Sequence, residues 1–116
     1  MIAADFEKSM LALTVWRLAG TDGLDSMLAV ACCLANKVRI EKKSWLEIVG
    51  RELVSAPMPD VREPGFLRLL QSIDAIHEGR AKDVSNGATS YCVLCETPAP
   101  DGLTLCARVG RFGFFR

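Results

Sequence analysis

The hydrophobic pattern of this chain changes period at Gly79, and that change constrains its fold class more than any other feature. Before Gly79, apolar residues recur at spacings of three and four, the repeat of a helix face. After it, short runs rich in β-branched and aromatic residues alternate with turn residues, the pattern of strands. Helices followed by strands rather than interleaved with them point to an α+β fold, mainly α, with about four helices and then a small antiparallel β element.

A first helix is expected over Asp5 to Leu18, with Leu11, Val15 and Leu18 on one face. Gly20 would end it in the left-handed conformation, and Thr21-Asp22-Gly23 would cap the next helix. That second helix, about Leu24 to Arg39, carries Met27, Val30, Ala31, Leu34 and Val38 at helical spacing. Its small residues Ala29, Cys32, Cys33 and Ala35 permit close helix approach. Ser44-Trp45-Leu46-Glu47 reads as a capping box for a third helix to about Val54. Ser55 to Glu63, with Pro57 and Pro59, is expected to be a loop. Pro64 then suits the first turn of a fourth helix to Glu78, with Phe66, Leu69, Leu70, Ile73 and Ile76/His77 inward. Strands are expected over Ala88 to Leu94 and Leu103 to Val109 with a turn at Thr97 to Gly102, and Phe112 to Phe115 extends the second or adds a third.

At 116 residues the chain is expected to form one domain, spanning 1–116. Lys+Arg and Asp+Glu balance at 14 each, so no global field draws in nucleic acid or an anionic membrane. Arg108, Arg111 and Arg116 are expected on the outer face of an edge strand. The longest apolar run, Met27 to Ala35, falls well short of the roughly 18–20 residues of a membrane span. Asp5, Glu7 and Lys8 interrupt the region where a signal peptide would be basic and then apolar. Five cysteines, with Cys32-Cys33 inside an apolar run, suggest reduced, buried thiols and a cytoplasmic chain.

The segment Asp83-Val84-Ser85-Asn86-Gly87-Ala88-Thr89-Ser90-Tyr91 is a polar turn running into a small-residue strand, a shape suited to a groove wall. Together with Ala12-Leu13-Thr14-Val15-Trp16-Arg17-Leu18-Ala19-Gly20-Thr21-Asp22, Ala29 to Val38 and the closing Ala107 to Phe115, it resembles the SleB-type cell-wall hydrolases of spore-cortex lytic enzymes and phage lysins. Members usually carry "ALTIWGEARGE", "AVACVIxNRV", "DPTGGATHYH" and "ARIGRHxFY" in that order. The resemblance implies a lysozyme-like, lytic-transglycosylase-like fold and a groove for peptidoglycan glycan strands, with Asn86, Gly87, Thr89, Ser90, Tyr91 and Trp16 as substrate-binding residues.

The departures cluster on one site. The family's catalytic Glu falls on Leu18 and its second Glu on Asp22, while family histidines become Ser90, Cys92 and Phe112. Glycan cleavage needs a carboxylic acid held neutral by burial, to protonate the leaving oxygen. Leucine cannot supply that proton, which implies a catalytically impaired domain that binds or interacts rather than cleaves, and the resemblance to phage lysins implies a phage or prophage origin. Asp22 is the nearest carboxylate for an active muralytic alternative, although its turn is also an ordinary helix cap. Glu47 belongs to its capping box, and Glu52 reads as a solvated helix residue. Trp16 and Trp45 could stack on sugars or fill the core. Cys92-x-x-Cys95 with Cys106, and His77 as a fourth ligand, gives a further alternative, a small zinc-stabilised adaptor. The leading reading needs no metal and no cofactor.

Overall fold

The computed structural model describes residues 3–52, 60 and 62–116. Four α-helices precede a three-stranded antiparallel sheet among these residues: α1 (Ala3–Ala19), α2 (Leu24–Glu41), α3 (Trp45–Glu52), α4 (Pro64–His77), β1 (Ser90–Val93), β2 (Leu105–Val109) and β3 (Phe112–Phe115). The α+β, mainly α class therefore holds. The expected end of the third helix at Val54 and most of the Ser55 to Glu63 loop lie outside the described residues.

α2 is the central element. Every residue from Ser26 to Asn36 except Leu28 is buried, so this helix lacks the polar outer face of a surface helix. It packs against the other three helices and against β1 and β2, and its run of Ala and Cys lets those neighbours approach closely. Phe112 and Phe114 join the helical side chains in one hydrophobic cluster, so sheet and helices share a core.

The junction between α1 and α2 differs from the sequence expectation. Gly20 does not close α1 in a left-handed conformation; it opens a short 3-10 turn, Gly20–Asp22. Its lack of a side chain serves the neighbouring ring, because a Cβ there would sit 3.1 Å from Trp16. The N-cap of α2 is Gly23, with φ 95° and no side-chain cap bond, so the expected Asp22 cap is not formed. At α3 the amide half of the capping box does form: the Glu47 N–H donates to Ser44 Oγ at 3.2 Å.

α4 buries Phe66, Leu69, Ile73 and Ile76, spaced by three and four, whereas Leu70, expected inward, is 39% exposed. Leu70 lies about a quarter-turn off that stripe. The sheet order is β1-β3-β2, which makes the C-terminal Phe112–Phe115 its centre. β2 and β3 form a hairpin closed at Gly110-Arg111, with Val109 opposite Phe112. Phe112 and Phe114 face the core, while on the other face Leu94 lies where a Cβ on Gly113 would come within 2.6 Å of it. This layout also scatters the three C-terminal arginines. Arg108 lies on edge strand β2, Arg111 in the hairpin turn and Arg116 beyond the central strand, so they do not share one outer face.

Candidate functional site

The Asp83–Gly87 loop is built by its own first residue. Asp83 Oδ1 accepts from the Ser85 amide (2.9 Å) and hydroxyl (2.6 Å), and Oδ2 accepts from the Gly87 amide (2.8 Å). An aspartate folding back on the amides that follow it is an Asx-type turn. Asn86 (φ 58°) and Gly87 (φ 82°) take the left-handed conformations that such a tight turn requires.

The loop is fastened to α2 by Asn36, which is only 3% exposed. Its amide nitrogen donates to Asp83 Oδ2 (2.7 Å), Ala88 O (3.1 Å) and Ser85 Oγ (3.3 Å), two protons shared among three acceptors. Asn36 Oδ1 in turn accepts from the Arg39 guanidinium. Burial raises the Asp83 carboxyl, but hydrogen bonds from Ser85, Asn36 and Gly87 outweigh it and hold the group below the usual range. An ionised, fully bonded aspartate is a loop staple rather than a proton donor.

Two hollows flank this staple. One, of about 260 Å³, is bordered by Cys32, Asn36, Arg39 and Asp83, and continues past Arg39 and Gly79 toward Trp45 and His77. The other, of about 390 Å³, is lined by Leu28, Val84, Ala75 and Lys82. Between them the chain crosses α2, where the Cys32 thiol contacts the Lys82 carbonyl at 3.8 Å.

The remaining candidates from the sequence separate into rim and core. Asn86, Thr89 and Ser90 retain solvent access, with Asn86 Nδ2 donating to Cys106 O (3.2 Å) and the Thr89 amide to Phe115 O (2.8 Å). Trp16 is not on that rim. It is 2% exposed, set edge-on to Phe66 (5.4 Å), with Gly20 and Gly65 making room for its ring, so neither ring face is open to a sugar. Tyr91 turns inward against Phe112 and Phe114. Leu18, where the resemblance would set a catalytic acid, packs against the core.

Asp22 is neither a cap nor a free acid. Its carboxylate is bridged by Nε and Nη2 of Arg111, a residue 89 positions away. Glu52, expected to be solvated, is instead the middle member of a polar contact chain between Lys37 and Tyr91. It accepts from the Tyr91 hydroxyl at 2.5 Å and lies 3.8 Å from Lys37 Nζ, with its side chain 21% exposed. Burial, then the bond to Glu52, pushes the Tyr91 phenol well above its ordinary value, and burial pushes the Cys33 thiol beside this cluster up to about 12. Sequence spacing could not reveal the cluster, because its members come from α2, α3 and β1.

The zinc set is not assembled. His77 faces Glu7 (2.9 Å) and stacks on Trp45 (4.7 Å), Cys92 is buried, Cys95 is exposed, and no group of three metal-ligating side chains is placed to hold an ion among the described residues. The exposed Cys95 also departs from the expectation that the thiols are buried. No described helix is long and apolar enough to cross a membrane. No family model matches the chain, and neither a curated protein nor a solved structure matches it.

Proposed function

We propose that this chain is a degenerate, lysozyme-like relative of the SleB-type cell-wall hydrolases that binds peptidoglycan glycan strands and has lost the acid that cleaves them. The observation supporting this reading is how the four motif segments meet. Asp22 of the first pairs with Arg111 of the last, and Asn36 of the second anchors Asp83, Ser85 and Ala88 of the third. Segments that resemble a family in order along the chain are thus also each other's partners in space. At the same time the acid position is the apolar Leu18, and the nearest carboxylate, Asp22, is bonded through both oxygens to a guanidinium. A general acid must present a proton to the leaving oxygen, which that arrangement does not favour. The rim residues Asn86, Thr89 and Ser90 are the polar groups left to contact a glycan.

Incubation of the purified chain with peptidoglycan sacculi tests both halves. Co-sedimentation without release of soluble muropeptides is expected; absence of co-sedimentation removes the binding function, and muropeptide release removes the impairment. An active enzyme with a relocated acid has one specific feature in its favour, the part-buried Glu52 beside Tyr91. Release that disappears in Glu52→Gln and survives in Asp22→Asn would identify that residue as the acid.

A further inference from the structure

Arg39 holds a position that the loop-staple role of its neighbours leaves unexplained. Its guanidinium is exposed at the C-terminal part of α2 and is oriented by Asn36 Oδ1, while Asn36 itself is fixed by Asp83, Ser85 and Ala88. Among the described residues no carboxylate lies within ion-pair distance of Arg39. A charged fork held in place by a buried amide, with most of its N–H groups unspent, is pre-organised for a planar anion.

The surroundings specify what that anion carries. Arg39 borders both the hollow of about 260 Å³ and the adjoining one of about 380 Å³, whose walls include Ala35, Val38, Ile76 and Trp45. Two acidic residues also border this space, and both are engaged. Asp83 has its oxygens taken by Ser85, Asn36 and Gly87, and Glu78 is paired with Arg80 and Lys8. Asp83 keeps its charge but has its oxygens taken, so the charged group here with unspent hydrogen-bonding capacity is the Arg39 guanidinium, beside an apolar wall.

We propose that this hollow binds a small organic carboxylate, with Arg39 gripping the carboxylate and the Ala35–Val38–Trp45 wall covering the apolar part. The proposal is independent of the glycan reading. It requires neither a groove at Asn86 nor any relation to hydrolases.

The test is a titration of the full chain, followed by 1H–15N NMR at the Trp45 indole and the Gly79 amide. The probes are N-acetyl-leucine, its neutral twin N-acetyl-leucinamide, and inorganic phosphate. N-acetyl-leucine should shift both signals saturably, the amide should not, and Arg39→Gln should weaken binding at least about tenfold, as loss of a charge-assisted fork implies. Arg39→Lys should fall between the two, keeping the charge but not the fork. Equal response to carboxylate and amide, unchanged affinity in Arg39→Gln, or phosphate binding as well as the carboxylate would each overturn the proposal. Because Arg39 is exposed, spectra of both variants away from the hollow should overlay those of the parent chain.

Discussion

Tyr91 shows how much of a residue's chemistry comes from partners remote in sequence. Its segment suggested an aromatic on a groove wall, but the fold gives it Glu52 as hydrogen-bond acceptor and two phenylalanines as packing partners. The chain has one tyrosine, so absorbance titration reads this phenol alone. Ionisation in the folded chain should begin well above the ordinary value of 10.0. The sign for stability follows from linkage. A phenol whose folded value is raised contributes stability below the unfolded value, and that contribution is lost as pH rises beyond it, because the unfolded chain sheds the proton first. Unfolding free energy should therefore decline above pH 10, and less steeply in Tyr91→Phe, which at neutral pH should cost about 1–2 kcal/mol for the lost bond to the carboxylate. An ordinary titration midpoint in the folded chain would contradict the Tyr91–Glu52 contact. Trp16 carries the same lesson. Spacing placed it on a helix, but only the approach of Gly20 and Gly65 shows that its ring is enclosed.

The helices were legible because their signals are local: a repeat of three and four, a Ser-x-x-Glu cap, a proline at the first turn. The third strand was legible as a segment, but its central position was not, since strand order depends on pairing rather than composition. The hairpin that sets this order turns on Gly110, whose φ of 58° is left-handed and whose missing Cβ leaves room for Ser26 Oγ at 2.8 Å. Gly102 is also left-handed (φ 76°), but nothing lies near its would-be Cβ, so it serves as a control. Gly102→Ala should cost about 1–2 kcal/mol for backbone strain alone. Gly110→Ala should cost roughly 1 kcal/mol more for the clash, and Ser26→Ala should recover that excess in a double-mutant cycle. Equal costs at the two glycines, measured by urea unfolding, would mean that the turn and α2 are not in contact.

On the scale of the whole molecule, a few polar links join the start of the chain to its end, and they decide what its carboxylates can do. Asp22 lies in a turn that sequence reading assigns to a cap or to an acid, and only the closure of the sheet onto α2 brings Arg111 to it. A carboxylate used as a cross-link and one used as an acid respond differently to substitution. As a cross-link, Asp22→Asn and Arg111→Gln should each lower stability, and the double variant should lose less than the sum of the two. The coupling should shrink as salt is raised from low to about 1 M, since the arginine side of the pair is open to solvent and the screening length falls to about 3 Å. On the proposed glycan-binding reading, binding to sacculi should be unaffected by either change, because the pair joins the hairpin to the α1–α2 turn and neither residue is among the Asn86, Thr89 and Ser90 rim groups. As an acid, Asp22 would give the opposite result: Asp22→Asn would abolish a muropeptide-releasing activity that Arg111→Gln merely altered, and the two substitutions would show no salt-dependent coupling in stability.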